Sequence, residues 1–176
     1  MAEEFKIIAI THPGKVKDET EKILTLLQDK KVDIVHLRKP GEDITFLRRI
    51  LDQIPFELHP FIKIHDHFNL CEEYNLGGVH LNSRNPIAPP FIKNFSKSCH
   101  SLKELEDIDC YDYVTLSPIF DSISKQDYKS NFIPEEIKDK ISGKRVVALG
   151  GITPDKIERL KDCGFYGAAM LGYFWN

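Results

Sequence analysis

The sequence predicts a compact (β/α)8 barrel, and three observations point to it. Eight short apolar runs alternate with amphipathic helical patterns along 176 residues. Several runs are too continuously apolar for a strand with one wet face, which suits parallel strands covered on both sides. The C-terminal ends of the runs gather polar residues while the opposite ends show no comparable set. In a barrel that edge is the active-site face.

The first run, residues 6–11 (KIIAIT), precedes a helical pattern over 19–27 with Ile23, Leu24, Leu26 and Leu27. The second, 32–38 (VDIVHLR), leads to a pattern over 44–54, where Ile44, Leu47, Ile50, Leu51 and Ile54 recur at helical spacing. The third and fourth are 61–65 (FIKIH) and 78–82 (GVHLN); three prolines in 85–95 then leave room only for a very short helix. The fifth, 96–100 (SKSCH), runs into Ser101-Leu102-Lys103-Glu104, a capping box. The sixth is 113–117 (YVTLS), and Pro134 marks a later short helix start. The seventh, 146–150 (VVALG), meets Thr153-Pro154, an N-cap with proline at the first helical position. The eighth is 166–172 (YGAAMLG); with only 173–176 beyond it, the last helix is expected to be missing or reduced. The flank this exposes suggests a homo-oligomer. Dividing 176 by 8 gives about 22 residues per unit against roughly 250 for a typical whole barrel, so the helices must be shortened. An open doubly wound sheet is the alternative. A single domain over 1–176 is expected.

The 24 Lys and Arg against 27 Asp and Glu give a net charge of −3, which excludes a nucleic-acid binder working by bulk positive charge. No apolar run approaches the roughly 18 residues of a membrane span. The start Met1-Ala2-Glu3-Glu4 is unlike a basic secretory leader, so a cytoplasmic location is expected. Cys71, Cys99, Cys110 and Cys163 form no CxxC pair and read as reduced thiols.

The polar edge comprises Thr11, His12, His36, Arg38, His65, Asp66, His67, His80, Asn82, Ser98, His100 and Ser117, with the loop 121–125 and the glycines 150–151. Arg38, near the end of a buried strand, needs an anion, and a ligand is the favoured one. His80 reads as a core-facing histidine, His36 equally as core or site, and His59 as exposed before a proline. His65-Asp66-His67 admits a metal-hydrolase reading, with both imidazoles on one strand face and His100 and one more group completing the set. Gly150-Gly151-Ile152 before a helix start suits a phosphate, and Gly167-Ala168-Ala169 is similarly small. Ser122-Ile123-Ser124-Lys125 offers two hydroxyls and an ammonium to a second anionic group.

The segments VHLRKP, IHDHFNLCEEYNLGGVHLN, SCHSLKELE, DYVTLSPIFDSISK and VVALGGITPDKI resemble, in order and spacing, the thiamine phosphate synthase/TenI family. The resemblance covers nearly the whole chain and implies a barrel that binds a small phosphorylated heterocycle, without nucleic acid or membrane. It implies Ser122, Ser124 and Lys125 as a closing loop, and Gly150, Gly151, Ala168 and Ala169 as a backbone cradle for a thiazole phosphate; His36 and Ser98 join the substrate-binding set. Asp66 falls on the first magnesium-binding aspartate of the synthases. The second falls on Asn85, a weaker carbonyl ligand. His36 replaces a glutamine, His65 an asparagine and Pro40 a lysine. These departures spare the thiazole-phosphate half of the site and erode the diphosphate half. The reading they favour is a TenI-like tautomerase with no cofactor, His100 as acid/base and Arg38 facing the substrate carboxylate. The alternatives are a synthase using Mg2+ to join an aminopyrimidine diphosphate to a thiazole phosphate, and a non-catalytic binder.

Overall fold

The computed structural model describes residues 4–121 and 129–175. Its strands are β1 (Lys6–Ile10), β2 (Ile34–Leu37), β3 (Ile62–Ile64), β4 (Gly78–Leu81), β5 (Phe95–Cys99), β6 (Val114–Leu116), β7 (Val146–Leu149) and β8 (Gly167–Met170). All neighbours are parallel, and β8 closes on β1 through Lys6↔Gly167 and Ile8↔Ala169. The sheet is therefore a closed barrel and not an open doubly wound sheet.

The helices are short, as the length requires. They are α1 (Glu19–Gln28), α2 (Ile44–Leu51), α3 (Asn69–Glu73), α4 (Lys138–Ile141), α5 (Ile157–Asp162) and α6 (Gly172–Trp175). α1 buries Ile23, Leu26 and Leu27, and α2 buries Leu47, Ile50 and Leu51, matching the sequence periodicity. The Asp43 carboxylate caps α2 by accepting the Phe46 N–H at 2.8 Å. Two local expectations are corrected. Ser101 donates its hydroxyl to Glu104 (2.9 Å) and Glu104 accepts the His100 N–H (3.1 Å), so the glutamate reaches back but the serine caps no backbone; only a 3-10 turn, Lys103–Leu105, follows. Pro134 precedes turns, and α4 starts at Lys138. Thr153 and Pro154 stand as expected at the N-cap and first helical position, of a 3-10 turn, Pro154–Lys156, that leads into α5. The last helix is reduced to the single turn α6, with Phe174 buried and the Trp175 indole N–H donating to Ile10 O at 2.7 Å.

The barrel interior is divided. On β1, β7 and β8 it is apolar, where Ile8, Ile10, Val147 and Ala169 pack together with Tyr113. On β2 to β6 it is polar. His36, Lys63, His80, Ser96 and Thr115 are all buried there, whereas barrel interiors are usually dominated by Val, Ile and Leu. Buried polar groups persist only when hydrogen-bonded, and these are, Thr115 Oγ1 excepted among the described residues. A second polar buttress lies under the rim. Lys39, fully buried, donates to His12 O (2.7 Å), Gly14 O (2.7 Å) and Glu19 Oε1 (2.6 Å), tying the turn after β1 to α1. Among the described residues no helix is long and apolar enough to cross a membrane.

Candidate active site

The strands end early, so most of the polar edge lies just past them, on loops at the C-terminal mouth. Arg38 follows β2. Its backbone is pinned by Thr11, whose hydroxyl accepts the Arg38 N–H (2.9 Å) and donates to Arg38 O (3.1 Å). The guanidinium is half-buried and has no hydrogen-bond partner among the described residues. Burial holds its pKa below the usual arginine value; the positive charge of Arg84 adds to that and Asp66 opposes it.

Asp66 follows β3 and is framed by the loop after β4. Arg84 lies 3.3 Å from both carboxylate oxygens, and Asn85 Nδ2 donates to Oδ1 at 2.8 Å. Asn85 Nδ2 also donates to His65 O at 3.1 Å, so its nitrogen faces two oxygens and its own carbonyl oxygen points elsewhere. Asn82 fixes this loop by accepting the N–H groups of Arg84 (3.0 Å) and Asn85 (3.3 Å) and donating to His65 O (3.1 Å). Magnesium demands an octahedral shell of hard oxygens. Around Asp66 stand a guanidinium and an amide N–H2 instead. The set does not fit Mg2+, and the expected ligand role of Asn85 is overturned by its orientation.

His100 follows β5 and is exposed; its Nδ1 is 3.2 Å from the Ser117 hydroxyl at the end of β6. The segment after Ser117 runs on to the Gly150–Gly151 turn, where a Cβ on Gly150 would stand 3.0 Å from Pro118 Cα. The imidazole after β5 and the glycines after β7 are thus on one rim. Gly150 (φ 99°) and Gly151 (φ 61°) both need left-handed backbone, and a Cβ on Gly151 would lie 2.2 Å from Asp121 O. The Lys156 ammonium donates to Gly151 O. Packing of the neighbouring loop accounts for these glycines as much as ligand access does. Gly151→Ala is expected to cost about 1–3 kcal/mol through strain and displacement of the adjoining loop. A thermal melt checks this: Tm should fall by roughly 3–10 °C.

Other expectations move. His36 is fully buried one layer below the rim, out of substrate reach. Ser98 is spent on His80 Nε2 at 2.9 Å. Ala168 and Ala169 lie mid-strand, paired on both edges to β1 and β7, so their backbone groups are committed to the ladder. The end of β8 that reaches the rim is Met170, Leu171 and Gly172. Ser122, Ser124 and Lys125 lie outside the described residues. His59 is buried, bridging Tyr74 O (2.8 Å) and Leu51 O (3.2 Å). Arg84 was missed; its only sequence signal is a cation three residues past the fourth strand.

His65 and His67 do not share a face. His67 has φ 54° and turns to Glu42 O (3.0 Å), which removes the metal-hydrolase set. His65 points into the barrel instead, where it meets His36 and His80 with ligand atoms within 4.8 Å of one another. Their nitrogens are largely occupied. His36 Nδ1 meets His65 Nε2 at 2.9 Å and His36 Nε2 meets Tyr113 Oη at 2.6 Å. His80 meets Ser96 Oγ (2.8 Å) and Ser98 Oγ (2.9 Å), and stacks on His65 with centroids 4.4 Å apart and planes at 30°. Stacked rings do not converge their in-plane lone pairs, and no carboxylate joins them. Donors and acceptors all match when Tyr113 donates to His36, His36 to His65, Ser98 to His80 and His80 to Ser96. Burial, together with mutual repulsion and nearby Lys63 and Arg38, lowers all three histidine pKa values, that of His80 to about 3. The three are neutral at pH 7 and support the rim through His65 O.

Three comparisons bear on this arrangement. A family model described as Thiamine monophosphate synthase matches residues 7–173. The crystal structure of thiamine phosphate pyrophosphorylase from Bacteroides thetaiotaomicron is similar, with TM-score 0.85 and 40% identity over 98% of this chain and 85% of that one. "Thiamine-phosphate synthase" of Staphylococcus haemolyticus is 30% identical over 122 residues, 64% of this chain and 57% of that protein, so the match spans little more than half of that relative's length. "Putative thiamine-phosphate synthase 2" of Aquifex aeolicus is 27% identical over 183 aligned positions, covering 96% of this chain and 97% of that protein.

Proposed function

We infer the function from one premise: this chain belongs to the thiamine monophosphate synthase family. The reading supported best is a condensing enzyme that joins an aminopyrimidine diphosphate to a thiazole phosphate. One observation carries it. In the eight-strand ring β3 lies four strands from β7, so the Arg38–Asp66–Arg84 group and the Gly150–Gly151 turn face each other across the mouth. Two separate anion-binding sectors suit two phosphorylated substrates meeting over the barrel axis. The names of the relatives support the same reading, and they lend nothing to the tautomerase that the sequence departures favour.

In this reading the thiazole phosphate sits on the Gly150–Gly151 turn and the rim end of β8. The diphosphate sits on the guanidiniums after β2 and β4. The thiazole ring nitrogen donates its lone pair to the pyrimidine methylene carbon. The carbon–oxygen bond to diphosphate breaks, and diphosphate leaves with that electron pair. The ring nitrogen becomes the cationic centre of the product. Cations held at the leaving oxygens act where negative charge grows, which is the largest catalytic lever of such a step. His100 and Ser117, on the rim between the two sectors, orient the pyrimidine.

The test gives the purified protein both substrates, and separately a non-aromatic thiazole carboxylate phosphate. Thiamine phosphate and released pyrophosphate are expected in the first reaction, with Arg38→Ala losing at least 100-fold in kcat/KM. Aromatisation in the second without coupling in the first, lost in His100→Ala, would replace this reading with the tautomerase. Binding of both thiazole compounds without turnover would make the protein a binder.

A further inference from the structure

The carboxylate after β3 is where the family resemblance puts a magnesium ion, and its surroundings are built for something else. Arg84 faces both oxygens of Asp66 at 3.3 Å through Nε and Nη2. Asn85 presents N–H2, not oxygen, to the same carboxylate, and its second contact to His65 O prevents the amide from turning round. The loop that aims Arg84 is fixed by Asn82, which bonds the Arg84 and Asn85 N–H groups and the carbonyls of His65 and His80. Arg38 is near enough to feel the charges of both Asp66 and Arg84; it is half-buried, its backbone is held by Thr11 and its guanidinium has no hydrogen-bond partner among the described residues. The group holds two positive charges and one negative, so it attracts an anion before any metal arrives. A divalent cation entering at Asp66 would meet two like charges and displace a fixed hydrogen bond.

We propose that Arg84 takes the place of a divalent cation at Asp66, and that Arg38 and Arg84 together hold the substrate's diphosphate end without a metal. Guanidinium forks match phosphate oxygens two at a time, so a pair of them can bind a diphosphate in defined orientation. Asp66 then acts as a positioning residue that sets the angle of Arg84. The two-substrate reading above supplies only the identity of the anion.

The experiment measures binding of inorganic pyrophosphate by calorimetry, in EDTA and in excess Mg2+, with coupling activity read in parallel. The wild-type protein is expected to bind pyrophosphate in EDTA, with affinity changing less than about 3-fold when Mg2+ is added. Arg84→Ala should weaken pyrophosphate binding in EDTA at least 10-fold. Arg84→Lys should recover only part of it, because an ammonium lacks the fork. Arg84→Ala/Asn85→Asp removes the guanidinium and supplies a second carboxylate; it should bind pyrophosphate only with Mg2+. Thermal melts of all variants control for folding at this exposed position. Wild-type binding at least 10-fold tighter with Mg2+ than in EDTA, together with an indifferent Arg84→Ala, would overturn the proposal. Pyrophosphate binding as described but no coupled product would remove the condensation reading and leave the metal-free site standing. Coupled product that needs Mg2+ and survives Arg84→Ala would do the reverse.

Discussion

Lowering the pH from 7 to 5 is expected to cost the fold at least about 2 kcal/mol. The cause is the neutral cluster of His36, His65 and His80 inside the barrel. All three have folded pKa values below the ordinary 6.5, with His80 at about 3. The unfolded chain therefore binds protons that the folded chain refuses. Their contribution is complete above about pH 6.5 and is lost as the pH falls below it toward the folded values. Each pH unit is worth about 1.4 kcal/mol per group, so His80 alone over about 1.5 units gives about 2 kcal/mol, and His36 and His65 add to it in the same sense, against a usual total of about 5–15. Exposed carboxylates do not produce this fall. Those held low by partners, such as Glu73 beside Arg48 and Glu135 beside Arg159, lose stability only below about pH 4.5, and Glu19, raised by burial, acts in the opposite sense. Melting curves should show Tm dropping by at least roughly 4–8 °C between pH 7 and 5. A flat Tm, or ring NMR signals of His36, His65 and His80 that titrate near 6.5 in the folded protein, would contradict the neutral cluster.

Lys39→Met is expected to destabilise the protein by about 3–5 kcal/mol, because it leaves the buried Glu19 carboxylate and two part-buried carbonyls without their donor. Substituting both partners, Lys39→Met with Glu19→Leu, should recover at least half of the loss, since a buried pair is far cheaper to remove than to break. Urea unfolding measures both. A single variant within about 1 kcal/mol of wild type would show that the ammonium is not needed there. The effect reaches function as well, since Lys39 holds the His12–Gly14 turn beside Arg38 at the mouth.

The architecture was legible in the sequence because several of the eight runs are continuously apolar, as parallel strands buried on both faces are, and because the eight alternate with helical patterns. The rim was legible for the same reason in reverse, since Asp66, Asn82, His100 and Ser117 cluster at one end of those runs only. Side-chain direction was much less so. A strand alternates its faces, so a single residue's shift in register decides between rim and interior. That is why His36 and Ser98 read as substrate contacts and turned out to be spent on Tyr113, His65 and His80. Ala168 and Ala169 were read for small size and from the family resemblance; in β8 that small size serves packing on both sides of the sheet. His67 was misjudged because β3 ends at Ile64 and the chain then turns through a left-handed residue. Arg84 had no pattern to reveal it; only the fold brings that loop over Asp66.

A crystal structure with thiazole phosphate and inorganic pyrophosphate bound together tests the two-sector mouth most directly. The phosphate should rest between the Gly150–Gly151 turn and the rim end of β8, with pyrophosphate within hydrogen-bond distance of both Arg38 and Arg84. Both anions crowded into one sector, or either seated away from the C-terminal mouth, would contradict it.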